Sequence, residues 1–139
     1  MKGRDRSGGF TLMEILIVVV IIGIIAGFGI PQYSTFVERG YRQDAETQLR
    51  LIHKAQQMYR VKYNEFYPPS SDNSDKALVN INTALQLNIN PNQFTYICSY
   101  GTGPQVFTCT AARDTGAYTL TVTEAVLSGS NPSCAGTCP

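Results

Sequence analysis

Catalysis would need a nucleophile beside a base, a carboxylate pair, a ligand cluster or a phosphate loop, and few side chains of this 139-residue chain are spaced to supply one. Four cysteines, Cys98, Cys109, Cys134 and Cys138, fall in the last third, and the chain's single histidine, His53, lies far from them in sequence. That set does not make a zinc site, and cysteines that can pair are poor nucleophiles. Disulfides are the better reading, and they place the C-terminal part in an oxidising compartment, a periplasm or the cell exterior. Three pairings are open to four cysteines. Asp72, Asn73 and Asp75 resemble the start of a calcium loop, yet no glutamate closes it at the required spacing. Gly101-x-Gly103 lacks the strand-to-helix setting of a dinucleotide loop. No catalytic residue, metal site or cofactor is expected.

Glu14 is the residue that asks for an explanation. From Phe10 to Ile30 the sequence reads FTLMEILIVVVIIGIIAGFGI, 21 residues with Glu14 as the only charge. A helix of that length spans a hydrocarbon core of about 30 Å at about 1.5 Å per residue. A carboxylate in such a span costs about 2.5 to 3.5 kcal/mol on insertion scales, less near the interface. No Lys or Arg lies within the span to offset it, so the partner comes from another molecule, or Glu14 is protonated or reaches the headgroups. Lys2, Arg4 and Arg6 before the span put its start on the cytoplasmic side and everything after Pro31 on the far side, in agreement with the cysteines. A secretory signal would be cut after its apolar core, where Ala26, Gly27 and Gly29 form only a weak site, and its core would be shorter.

Gly8-Gly9-Phe10-Thr11-Leu12-Met13-Glu14, followed by the unbroken apolar run, resembles the class III signal of type IV prepilins and pseudopilins. The resemblance covers roughly residues 7 to 68 and is architectural beyond that. It implies that a prepilin peptidase cuts between Gly9 and Phe10 and methylates the new amine of Phe10. It implies also that Glu14, the fifth mature residue, pairs with the N-terminal ammonium of a neighbouring subunit and sets its register. A buried ammonium and carboxylate are tolerable together and costly apart. Pro31 matches the family too, and Gly27, Gly29 and Pro31 weaken the helix there whatever its ancestry. Two departures stand out: Leu51 replaces the second proline frequent in the pilin helix, and no carboxylate side chain follows Glu124. Major pseudopilins of type II secretion carry a calcium site in their C-terminal loops, so the second departure favours a type IV pilus subunit over a secretion pseudopilin.

The elements that position these residues follow from periodicity. Tyr41, Ala45, Leu49, Ile52, Ala55, Tyr59, Tyr63 and Phe66 recur at three and four, the apolar stripe of a helix lying on a globular domain. His53 sits one residue off that stripe, as a surface or boundary residue. Pro68-Pro69 ends the helix. A helix over residues 10–62 would be about 80 Å long at about 1.5 Å per residue, so its apolar half must protrude from so small a domain. A weak helical pattern runs through Leu78, Ile81, Leu85 and Leu87. Gln93–Tyr100 and Gln105–Ala111 read as a hairpin around Gly101-Thr102-Gly103-Pro104, which sets Cys98 opposite Cys109, and Ala117–Ala125 alternates like a third strand. Cys134 and Cys138 tie down the turn-rich tail, to each other or to the hairpin. The expected fold class is α+β: a long N-terminal helix, apolar then amphipathic, packed on a small antiparallel sheet with a disulfide-bonded C-terminal region. The expected parts are a leader over 1–9, removed, a membrane-spanning or filament-core half over 10–30, an amphipathic half over 31–66 and a head over 67–139.

Charge narrows the function classes. The net charge is +1, and three of the eleven basic side chains sit in residues 1–9 against Asp5, leaving eight basic and nine acidic, about −1. That balance gives no general grip on phosphates, so direct nucleic-acid binding is not expected. The resemblance implies a non-enzymatic structural subunit, held in the inner membrane as a precursor. It would become a homo-oligomer in a helical filament on the cell surface through the peptidase and the pilus assembly machinery. The alternatives are a low-abundance minor pilin or pseudopilin, serving as a tip adhesin, in DNA uptake or in type II secretion, and a plain membrane-anchored disulfide-bonded domain.

Overall fold

The computed structural model describes residues 9–72, 74–101, 106–124 and 132–139, apart from the side chains of 28–32. The leader through Gly8, the hairpin loop at 102–105 and the stretch 125–131 lie outside the described residues. The chain divides into two compact units, residues 1–37 and 38–139.

Helix α1 runs Leu12–Tyr63. Thr11 caps its start: the Glu14 N–H donates to the Thr11 side-chain oxygen at 3.2 Å and to its carbonyl at 3.1 Å. Thr11-x-x-Glu14 therefore has the spacing of a capping box, with an acid in the first turn where the helix dipole favours it. Arg60 and Lys62 give the last turn the complementary charge. Asn64, at φ 60°, stops the helix in the left-handed conformation with its N–H on the Arg60 carbonyl. The helix thus ends at Tyr63, three residues before the expected boundary, and Phe66 reaches the core from the loop that follows.

In the unit 38–139 the stripe behaves as its spacing requires. Ala45, Leu49, Ile52 and Ala55 are buried, Tyr41 and Tyr59 pack against them in part, and Tyr63 is half exposed. Among the described residues the sheet has five antiparallel strands in chain order, where three were expected: β1 (Lys76–Ala77), β2 (Phe94–Tyr100), β3 (Phe107–Arg113), β4 (Tyr118–Thr123) and β5 (Ser133–Gly136). The two additional strands are the edges. β1 is only two residues long, and β5, of sequence SCAG, has neither β-branched residues nor alternation, so neither carries a periodic signal. The three central strands alternate: Phe94, Tyr96, Cys98, Phe107, Cys109, Ala111, Tyr118, Leu120 and Val122 face the core. Their other face carries Thr95, Thr108, Thr110, Thr119, Thr121 and Thr123. Helix α2 (Leu78–Leu85) buries Ile81 and Leu85 and ends at Gln86 in the left-handed conformation.

Gly136 is where a glycine is required. It sits at φ 104°, and a Cβ there would meet the Ala117 carbonyl oxygen at 2.6 Å, so β5 approaches β4 closely only because the side chain is absent.

Candidate functional site

Each unit holds part of the candidate machinery. In the first, Gly9 and Phe10 are exposed ahead of the helix, Glu14 lies on its first turn, and the apolar side chains from Leu12 to Ile25 are largely exposed. Gly27 lies within α1, and a Cβ added there would meet nothing within 4 Å. The backbone of Gly29 and Pro31 belongs to the same helix, which is a single element with no break at those positions. Among the described residues no helix is long and apolar enough to cross a membrane, and the span expected over 10–30 includes side chains, those of 28–30, that lie outside them.

In the second unit, disulfides join Cys98 to Cys109 and Cys134 to Cys138. The first links directly opposed residues of β2 and β3 and is fully buried; the second ties β5 to the residues just after it. His53 is half buried, its ring 5.9 Å from that of Phe107 and its Nε2 buried without a hydrogen-bond partner. Asp72 accepts hydrogen bonds from Ser74 and pairs with Lys76, so it is committed locally, and Asn73 lies outside the described residues. Its carboxyl is held down to about 2, chiefly by Lys76 and then by Ser74. Among the described residues no group of three or more His, Cys, Asp or Glu is placed to hold a metal.

Polar side chains not singled out in the sequence tie α1 to the rest of the head. Gln56, fully buried, accepts from the Tyr67 N–H at 2.8 Å and donates to the Tyr67 carbonyl at 2.5 Å, closing the turn after the helix. Asn82 holds Ile89 in the same reciprocal way, both bonds at 3.1 Å. Gln57 and Arg60 donate to Glu124 at the end of β4, at 2.8 and 3.4 Å. Arg42 pairs with Glu46 at 2.9 Å and donates to the Pro139 carbonyl at 3.0 Å. Arg113, 6% exposed, pairs with Glu38 at 2.7 Å. The hydrogen bond from Arg113 holds the Glu38 carboxyl below its ordinary 4.5. Burial, then the Glu38 charge, push the Tyr118 hydroxyl up to about 12; it is buried with no hydrogen bond of ordinary geometry.

Residues 4–30 match the family described as the prokaryotic N-terminal methylation motif. The chain is 33% identical over 97 residues to the type II secretion system core protein G of Escherichia coli (strain K12), covering 70% of this chain and 66% of that protein. It is 38% identical over 79 residues to the core protein G of Vibrio cholerae, covering 57% and 53%. To the type IV major pilin protein PilA of Myxococcus xanthus it is 39% identical over 66 residues, 45% of this chain and 30% of that one.

The chain belongs to the type IV pilin and pseudopilin family. It spans under two thirds of the length of the curated relatives it matches, about two thirds of the Escherichia coli protein and less than a third of the Myxococcus xanthus pilin. No solved structure matches. Membership accounts for the helix-and-sheet architecture, and both a pilin and secretion core proteins are among the relatives.

Proposed function

We propose that the chain is a structural subunit of a type IV pilus or pilus-like filament. In this reading a prepilin peptidase cuts it between Gly9 and Phe10 and methylates the Phe10 amine. The carrying observation is the match of residues 4–30 to the N-terminal methylation motif, with Glu14 on the first turn behind an exposed Gly9-Phe10 junction. Before assembly the apolar half of α1 rests in the inner membrane. In the filament it packs against the same segment of other copies, and Gly27, Gly29 and Pro31 provide a point at which the helix can loosen. Apolar burial then passes from lipid to protein with little net change, so machinery powered in the cytoplasm must drive extraction. Glu14 neutralises the N-terminal ammonium of a neighbouring subunit, and an unpaired charge in that setting costs enough to enforce the register.

A second reading, a pseudopilin of type II secretion, is favoured by the match to core protein G over 70% of this chain, well past the N-terminal motif. Against it stands the absence of any carboxylate side chain after Glu124.

Intact mass and the N-terminal residue of protein taken from membranes and from sheared fibres test the reading. N-methylated Phe10 at the start, with abundance in the fibre fraction, supports a filament subunit. A start at Met1 or beyond residue 26 overturns it and leaves an anchored or secreted domain.

A further inference from the structure

Arg113 closes the inward-facing row of β3 after Phe107, Cys109 and Ala111, so the pleat carries a guanidinium to the margin of the core. A charge there must be matched group by group. Nε donates to Glu38 Oε1 at 2.7 Å and Nη2 to Oε2 at 3.2 Å, a two-point fork. Nη1 donates to the Gln93 carbonyl at 2.9 Å and to its side-chain Oε1 at 3.0 Å. The guanidinium also lies 5.0 Å from the centre of the Tyr41 ring and 5.5 Å from that of Phe94. An exposed ion pair contributes little, but this one combines a buried cation, bidentate geometry and two aromatic faces.

Arg113 acts on Glu38 first, and the Tyr118 hydroxyl adds a smaller effect of the same sign. From α1 come Arg39 and Arg42, the latter engaged by Glu46 and the Pro139 carbonyl. The β3–β4 turn brings Asp114, bonded by Thr95, and β4 brings the neutral hydroxyl of Tyr118. The start of β2 adds only uncharged Gln93 and Phe94. Glu38 is also the first residue of the unit 38–139, seven positions before Ala45 begins the buried stripe. Other holds on the two helical turns ahead of Ala45 are partly buried Tyr41, the Arg42 bond to the Pro139 carbonyl and the hydrogen bond from Asn92 to Asp44 at 3.2 Å, none of which is a two-point ion pair.

We propose that Glu38 and Arg113 are positioning residues for assembly, a clamp that fixes where the head's hold on α1 begins. The inference rests on the filament reading above. Its physical content is that the helix from Glu38 onward is committed to the head, so arriving subunits present α1 in one register. A planar fork can hold that register while a lysine, a mobile point charge, cannot.

The test uses the full chain in cells lacking the native copy, comparing wild type, Glu38→Gln and Arg113→Lys. Amide exchange of the detergent-solubilised chain is measured beside the amount of chain in sheared filaments. For Glu38→Gln, exchange over 38–44 rises at least about tenfold while 49–60 and the sheet are unchanged. Its level in membranes stays at wild type and filament incorporation falls at least about tenfold. Arg113→Lys moves both readouts in the same direction, and it carries the test if Glu38→Gln does not accumulate. Unchanged exchange over 38–44, or raised exchange with undiminished filaments, overturns the proposal. Raised exchange throughout the sheet overturns it as well, since that reports a general stabilising role. If the wild-type chain itself never enters filaments, the filament reading fails, and the exchange comparison still reports whether the clamp exists.

Discussion

At the residue scale, energy concentrates where a polar group is buried with every bond made. Gln56 supplies both partners that the Tyr67 backbone needs. Replacing it with alanine strands the part-buried Tyr67 N–H and carbonyl and leaves a void where the fully buried Gln56 side chain was, so Gln56→Ala should lower stability by about 2–4 kcal/mol in denaturant unfolding. Glu38 gives a pH signature. Its carboxyl is held below the ordinary 4.5, by the Arg113 hydrogen bond first and against the opposing effect of burial. The charged form is thus favoured in the folded state, and the contribution is complete above the ordinary value and disappears as pH falls through the folded one. The stability difference between wild type and Glu38→Gln should be constant near neutrality and shrink below pH 4.5, as read from denaturation midpoints across pH. A gap that widens in acid would assign the Glu38 shift to the wrong cause. Gln56 and Arg113 left a trace in the sequence: each is polar at a position where helical or strand periodicity demands an apolar residue. Their partners left none, because a contact between residues 75 apart, as for Arg113 and Glu38, has no local pattern.

At the element scale, the two disulfides close loops of different length at different depths. Cys98–Cys109 spans 11 residues in the core, whereas Cys134–Cys138 spans 4 at the sheet edge. Loop-closure entropy assigns about 3 kcal/mol to the first and about 2 kcal/mol to the second. Alanine pairs at 134 and 138 should therefore give the smaller loss, with β5 alone gaining amide exchange, while pairs at 98 and 109 should weaken the whole sheet. Mild reductant followed by alkylation should label Cys134 and Cys138 first, since the other pair has no exposed surface. The long helix, α2 and the three central strands were legible because apolar residues recur at three and four or at two over enough positions to declare a period. β1 and β5 were not, because two residues cannot show a period and SCAG lacks strand-forming side chains. The Cys98–Cys109 opposition followed from hairpin register, whereas the Cys134–Cys138 pair remained one of two options until the fold placed β5 beside β4.

At the scale of the whole molecule, the two units have opposite relations to water. The buried core runs from Ala45 to Val122, with Cys134 packed against it, and every member belongs to the unit 38–139. The Glu38–Arg113, Gln56–Tyr67 and Glu124 ties also lie within that unit. The unit 1–37 instead exposes a row of isoleucines, valines and leucines from Leu12 to Ile25, each worth about 1.5–3 kcal/mol when removed from water. A fragment of residues 38–139 should consequently fold alone. It is expected to be monomeric in gel filtration without detergent, to unfold in one cooperative transition by circular dichroism, and to contain both disulfides by peptide mapping. The full chain at the same concentration should need detergent or lipid. A fragment that stays unfolded would mean that residues before Glu38 supply stability the head lacks; an aggregating but folded fragment would point instead to its exposed Met58, Val61 and Val79. Folding in isolation would show that the apolar half of α1 is dispensable for building the head, as the proposed filament reading requires.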